Sequence, residues 1–80
     1  INNAAIFRPA SVLETTPETW ENTRRVNLDA VIHATRHFAS RLVRQGRGGR
    51  IVNIASGEAI RTEPRTAAYT ATKGALLAFT

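Results

Sequence analysis

The sequence contains no cysteine and no methionine, and it has only one tyrosine and one lysine. Without cysteine no disulfide can stabilise the fold, and 80 residues that are 42% hydrophobic can bury only a small core. No apolar run approaches the roughly 20 residues that a membrane-spanning helix requires, and no signal peptide is recognisable. Because the sequence does not begin with methionine, we expect it to be a piece of a longer protein. The absence of cysteine is compatible with a cytoplasmic location.

The basic residues are almost all arginine, and they give the chain a net charge of +5. The arginines are scattered from Arg8 to Arg65 without forming one block, so the charge indicates solubility more than nucleic-acid binding. The Gly- and Arg-rich stretch at residues 44–50 weakly resembles segments that bind single-stranded nucleic acid, but the end of a helix also explains its glycines. We therefore expect neither a nucleic-acid nor a membrane partner.

A long helix is predicted after a loop at residues 2–15. Thr16 is a plausible N-cap, and Pro17 occupies the first helical position, where proline is favoured. Gly46 stands where a left-handed cap residue would end the helix. Such a helix would have nearly thirty residues, which is longer than most helices in globular proteins.

The rest of the chain predicts a strand and a second helix. Residues 50–56 (RIVNIAS) are rich in β-branched residues and predict a short buried strand. After a loop with Gly57 and Pro64, a helix begins near Thr66. The order loop, helix, strand, loop and helix is typical of an α/β parallel-sheet unit.

Asn27 occupies an unusual place in the long helix. The apolar residues between positions 27 and 44 cover about half of the helix circumference, which is wider than one sheet contact requires, so a second partner surface is expected. Asn27 falls inside this apolar arc, where an amide without partners costs about 1 to 3 kcal/mol. We therefore predict either a hydrogen-bonding role for Asn27 or a break in the helix. If Asn27 interrupts the helix, Asn27→Leu in the complete protein should keep or raise stability. The alternative is a tolerated asparagine near the surface.

The only tyrosine and the only lysine, Tyr69 and Lys73, are four residues apart on the second helix. Residues at this spacing share one helix face. An ammonium about 5 Å from an ionised phenol attracts it by about 3 kcal/mol at an effective dielectric constant near 20, which suits a phenol that acts as general acid or base. Ser56 ends the predicted strand, at the edge where parallel sheets bind ligands. The spacing alone favours a packed tyrosine beside a solvated lysine, because two residues four apart are a weak signal.

Four segments together resemble the classical short-chain dehydrogenase/reductase family, over all 80 residues. Ser56 precedes Tyr69 by thirteen residues, as in that family. The segments, in chain order, are similar to the family's NNAG motif, its helix with the catalytic Asn, its strand ending in the catalytic Ser and its YxxxK motif: NNAA at 2–5, VNLDAV at 26–31, GRIVNIAS at 49–56 and YTATK at 69–73.

The resemblance implies a Rossmann-type doubly wound parallel sheet that binds NAD or NADP and an enzyme that moves a hydride between the nicotinamide and a small carbonyl or alcohol substrate. It implies that Tyr69 is the acid/base, that Ser56 orients the substrate oxygen, and that Lys73 binds the nicotinamide ribose. Asn27 would hold a water in a proton relay. Three positions at the start of the chain would lie along the cofactor: Asn3, Ala4 and Ala5. The resemblance also implies a homo-oligomer.

Three positions depart from the family pattern. Ala5 replaces the Gly that ends NNAG, which puts the fit of the cofactor in question. Ala59 stands where Gly is common, and Glu58 is an unusual acid beside the substrate. The catalytic set itself is complete.

The chain also lacks the family's Gly-rich phosphate loop and its C-terminal substrate region, so residues 1–80 are expected to be a partial NAD(P)-binding domain without activity of its own. The alternative is a truncated or non-catalytic relative that acts at most as an interaction module. His33 and His37, one helical turn apart, have no third ligand nearby in the sequence, so no metal site is expected.

Overall fold

The computed structural model describes all 80 residues and contains three α-helices: α1 at Pro17–Arg24, α2 at Ala30–Gln45 and α3 at Ala67–Phe79. A π-helical turn, Arg25–Asp29, joins α1 to α2. A short 3-10 turn, Gly57–Ala59, precedes α3. The predicted interruption of the long helix near Asn27 is therefore confirmed as a π turn.

The ends of the long helical segment follow the local sequence signals. The Thr16 hydroxyl accepts a hydrogen bond from the Thr19 backbone N–H at 3.1 Å, and Pro17 is the first helical residue. At the other end Gly46 has φ 67°, and its N–H reaches the carbonyls of Leu42 and Val43. Only a residue without a Cβ adopts this left-handed conformation at no steric cost. Both predicted caps are confirmed.

The buried strand predicted at residues 50–56 is wrong in extent and burial. The segment forms a single parallel bridge, in which Asn2 N–H donates to Val52 O at 2.8 Å and Ile54 N–H donates to Asn2 O at 3.0 Å. Val52 is 47% and Ile54 40% exposed. Within this chain only the residues around Asn2 pair with the segment, so Val52 and Ile54 have no neighbouring strands to bury them, whereas Ile51 is half-buried beside α2.

A second parallel bridge, which the sequence did not indicate, joins Ala10 to Thr66. Ala10 N–H donates to Arg65 O at 2.9 Å, and Arg65 has a φ of 62°. The Arg65 guanidinium also lies 3.4 Å from the Glu14 carboxylate. The loop after residue 8 is thereby fixed against the start of α3.

Most of the buried residues are polar. Of the eight buried residues only three are apolar, namely Val31, Ala68 and Leu76. The five polar ones are Thr23, Asn27, Thr66, Thr72 and Lys73. They lie where α3 packs against α1, the π turn and the 3-10 turn. The most deeply buried part of the molecule is therefore the region around Asn27, Thr72 and Lys73.

The wide apolar arc of the long helix is covered only in part, since two of its residues are exposed and most of the others are half-buried. Val31 is buried, but Phe38 is 50% and Val43 80% exposed. No helix combines the length and the apolar character that crossing a bilayer requires.

Candidate active site

Helix α3 places Tyr69 and Lys73 one turn apart, as predicted from their spacing. Lys73 is only 3% exposed, and its Nζ donates a hydrogen bond to the backbone carbonyl of Ile54 at 2.8 Å. Nζ also lies 5.8 Å from the centre of the Tyr69 ring. An ammonium carries three N–H donors, and this chain provides an acceptor for one of them. Two donors of a buried cation therefore remain available beside the phenol.

Ser56 and Tyr69 line the same cavity, together with Phe7 and Glu58. The cavity has a volume of about 250 Å³. The Phe7 ring meets the Tyr69 ring edge to face, with the centres 5.1 Å apart, and this contact fixes the position of the phenol. The sequence predicted correctly that Ser56 and Tyr69 lie together. It gave no indication of Phe7, which is far from both in the chain.

The hydrogen bonds of the two hydroxyl groups leave each of them able to act on a ligand. Ser56 Oγ accepts from Glu58 N–H at 3.2 Å and donates to no atom of the chain, so its own proton is available. The Tyr69 hydroxyl makes no hydrogen bond within the chain. A ligand oxygen in this cavity can therefore accept from Ser56 and exchange a proton with Tyr69.

Asn27 is fully buried in the π turn and pairs with the backbone of Ile6. Ile6 N–H donates to Asn27 Oδ1 at 2.8 Å, and Asn27 Nδ2 donates to Ile6 O at 2.9 Å. This two-sided contact satisfies a backbone donor and acceptor that have no partner in a strand. The predicted hydrogen-bonding role of Asn27 is confirmed in that sense, and its partner is the loop that carries Phe7.

Thr72 links Asn27 to the helix turn that carries Tyr69. Asn27 Nδ2 also donates to Thr72 Oγ1 at 3.3 Å, and the Thr72 hydroxyl donates to the Tyr69 carbonyl at 2.8 Å. Thr72 is fully buried. Sequence reasoning missed it, because an unspecified position inside the YxxxK motif gives no signal.

The segment Asn3, Ala4 and Ala5 is exposed and does not line the cavity of Tyr69. Its backbone N–H groups make no hydrogen bond within the chain. Ala5 is not among the residues with positive φ, so the backbone conformation here does not require glycine. The segment is thus open to a ligand, and the replacement of Gly by Ala causes no backbone strain.

Comparison with known proteins identifies relatives of the whole chain. The family model of the short chain dehydrogenases matches residues 1–80. An uncharacterised oxidoreductase of Thermotoga maritima is 42% identical over 80 residues, which are all of this chain and 31% of that protein. The chain thus spans about a third of the length of this relative.

Solved structures show the same backbone arrangement. A 4-hydroxyisoleucine dehydrogenase complexed with NADH and succinate has a TM-score of 0.93 at 37% identity, over 99% of this chain and 37% of that one. A gluconate 5-dehydrogenase from Burkholderia cenocepacia in complex with NADP and tartrate has a TM-score of 0.94 at 38% identity, over 99% of this chain and 31% of that one.

These likenesses extend over the whole chain, in its sequence and in its fold. The related structures have the Rossmann-type α/β fold, so the fold class predicted from the sequence is confirmed. Because the family model matches every residue from 1 to 80, the chain belongs to the short-chain dehydrogenase family.

Proposed function

We propose that the complete protein containing this chain is an NAD(P)-dependent oxidoreductase that interconverts a small alcohol and its carbonyl compound. One observation carries the proposal: Ser56 and Tyr69 line one cavity while the buried ammonium of Lys73 lies beside the Tyr69 ring. Residues 1–80 supply the acid/base group and the group that orients the substrate; the remainder of the protein supplies the rest of the cofactor and substrate sites, so this chain alone is inactive.

The residues present fit a nicotinamide nucleotide. The two uncommitted donors of the Lys73 ammonium can bind ribose hydroxyl groups, since a buried cation favours further acceptors. The free backbone N–H groups of Asn3, Ala4 and Ala5 offer further contacts along the same molecule. When bound, NAD(P) supplies the nicotinamide carbon that accepts the hydride from the alcohol or returns it to the carbonyl.

Each residue of the site then has one task in alcohol oxidation. Ser56 donates a hydrogen bond to the substrate oxygen, keeps its own proton and holds that oxygen against Tyr69. Tyr69, as the phenolate, takes the proton of the substrate O–H group as the carbon–hydrogen bond breaks. The hydride would pass to the bound nucleotide, so the alcohol becomes the carbonyl compound. Lys73 holds positive charge beside the phenol while it carries negative charge.

Asn27 supports these groups from behind the cavity. Its contacts with Ile6 and Thr72 connect the loop before Phe7 to the turn that carries Tyr69. Oδ1 uses one of its two lone pairs on Ile6 N–H, so the other can bind a water of a proton relay leading from Lys73.

Self-association of the complete protein is part of the proposal. Phe38 and Val43 on α2 are exposed in this chain, which supports a second copy packing on this helix. Light scattering on the purified protein tests this, and a monomer over the working concentration range would contradict it.

The enzymatic proposal is tested by Tyr69→Phe and Ser56→Ala in the complete protein. Tyr69→Phe keeps the ring that packs on Phe7 and loses only the hydroxyl, which has no protein partner, so folding should be unaffected. We expect kcat/KM to fall roughly 10²- to 10⁴-fold with unchanged nucleotide affinity, as expected for loss of general acid/base catalysis. Ser40→Ala, on the exposed face of α2, is the matched control for Ser56→Ala. Near-normal turnover of Tyr69→Phe would end the assignment of Tyr69 as acid/base.

A further inference from the structure

Glu58 lies in the cavity of Ser56 and Tyr69 and has no role in the proposed reaction. It belongs to the 3-10 turn Gly57–Ala59, and its backbone N–H fixes Ser56 Oγ. Its side chain lines the cavity with Phe7, Ser56 and Tyr69. A carboxylate is therefore held within one small cavity together with the two hydroxyl groups that act on the substrate.

The carboxylate of Glu58 has no partner in the chain. Neither of its oxygens accepts a hydrogen bond, and neither of the two ion pairs of the chain involves it. Oε2 is shielded from solvent, so Oε1 is the oxygen that water or a ligand in the cavity can reach. A poorly solvated acceptor binds a donor more strongly than a solvated one, because less hydration is lost on contact.

The other walls of the cavity cannot supply this donor. The Phe7 ring offers no hydrogen-bonding group, and the hydroxyl groups of Ser56 and Tyr69 act on the reacting oxygen of the substrate. A ligand that occupies the cavity can therefore satisfy Glu58 only with a donor of its own. We expect that donor close to the reacting carbon, since Glu58 lines the same cavity of about 250 Å³ as the two hydroxyl groups that act on the reacting oxygen.

We propose that Glu58 determines substrate specificity by selecting alcohols and carbonyl compounds that carry a hydrogen-bond donor, a hydroxyl or an ammonium group, next to the reacting carbon. This inference rests on the proposed oxidoreductase function. An alcohol without such a group leaves the carboxylate unpaired and its charge further desolvated, which is an effective way to reject a substrate.

The test compares three alcohols with the same four-carbon skeleton: butane-2,3-diol, 3-aminobutan-2-ol and butan-2-ol. In the complete protein we expect kcat/KM for the diol and the amino alcohol to exceed that for butan-2-ol by roughly 10- to 150-fold, the range expected for one hydrogen bond to a charged group. Glu58→Leu should abolish this preference, in part by raising kcat/KM for butan-2-ol, because this alcohol then no longer leaves a carboxylate unpaired.

Two further variants test whether the substrate preference depends on the charge of Glu58 and on its position. Glu58→Gln keeps the shape and one acceptor oxygen, so it should retain part of the preference for the diol and lose the preference for the ammonium group. Glu63→Gln makes the same chemical change in the same loop at an exposed position and should behave as wild type.

A wild type with equal kcat/KM for the three alcohols would overturn the inference, as would an unchanged preference in Glu58→Leu. If the wild type oxidises none of them with NAD or NADP, the proposed function fails, and ligand-observed NMR titration of the diol decides the role of Glu58 separately. Binding that weakens about tenfold or more in Glu58→Leu supports the inference. Equal binding to the two proteins, or no binding to the wild type, overturns it.

Discussion

Replacement of Asn27 by leucine should destabilise the complete protein by roughly 2 to 4 kcal/mol. The sequence alone suggested the opposite, because leucine matches the surrounding apolar arc. The structure changes the expectation, since Asn27 is fully buried and holds both the N–H and the C=O of Ile6, at 2.8 and 2.9 Å. Removal of the amide leaves both backbone groups without a partner, at about 1 to 3 kcal/mol each where water cannot replace it.

Two effects reduce the destabilisation by Asn27→Leu and determine the lower end of the expected range. Ile6 is partly exposed, so water can hydrate its backbone in part, and leucine gains from burial of an apolar side chain. Against this, leucine is larger than asparagine and must fit a closed site, which costs about 1 to 3 kcal/mol. The balance remains destabilising because the hydrogen bond to Thr72 is lost as well.

The assay is urea unfolding followed by circular dichroism, combined with hydrogen exchange at the Ile6 amide. We expect a lower unfolding midpoint and about tenfold or faster exchange at Ile6 in Asn27→Leu. Asn22→Leu, which makes the same change at an exposed position of α1, is the matched control and should stay within about 0.5 kcal/mol of wild type. An unchanged or higher midpoint with full protection of the Ile6 amide would refute the reasoning.

Three other predictions follow from the structure. The 80-residue chain alone should show no sharp thermal transition by circular dichroism. Its solvent-accessible surface is 5746 Å² at a mass of 8.7 kDa, whereas a compact protein of this mass exposes about 4,700 Å². Burial of the apolar part of this excess surface would stabilise the fold by about 15 kcal/mol. The missing stabilisation is as large as the whole stability of a domain. Lys73→Arg in the complete protein should lose most activity although it keeps the charge, because the site is closed around a compact ammonium bound to Ile54 O, and steady-state kinetics measures this. The carboxyl group of Glu14 should titrate below its ordinary pKa of 4.5 in NMR, because hydrogen bonds from Ser11 and the charge of Arg65 stabilise its ionised form. Since that pKa is lowered, the contact with Ser11 and Arg65 is complete above about pH 4.5 and is lost as the pH falls through the folded-state value.

Each of these predictions has a clear contrary result. A cooperative transition of the isolated chain at low protein concentration would show that its few buried residues suffice for folding. Near-normal turnover of Lys73→Arg would mean that charge alone matters at this position. A Glu14 midpoint at or above 4.5 would show that the contacts with Ser11 and Arg65 do not form in solution.

Features that depend on adjacent residues were predictable from the sequence. The caps at Thr16 and Gly46 were predicted correctly because a cap is determined by the conformation of one residue and its immediate neighbours. The same holds for Tyr69 and Lys73, whose spacing on a helix determines their proximity.

Features that depend on distant partners were not predictable. The burial expected for residues 50–56 requires neighbouring strands, and within this chain only the residues around Asn2 pair with them. The partners of Asn27 and Lys73 are backbone groups of Ile6 and Ile54, and a backbone carbonyl or amide has no identity in a sequence. Phe7 and Glu58 reach the cavity by chain folding alone, although Glu58 already stood out as an acid in an unusual position.

The π turn at Arg25–Asp29 also determines which mutations this part of the gene can tolerate. A π turn contains one residue more than the corresponding α-helical turn, and each helical residue rotates the chain by about 100°. Loss of a single codon between Thr23 and Val31 would restore a regular helix but rotate α2 relative to α1 by that angle, so that Thr23 and Val31 could no longer both keep their buried positions. Substitutions in this segment change one side chain, whereas a one-residue deletion would change the phase of the whole of α2. The length of the segment is therefore under stronger constraint than most of the residues within it.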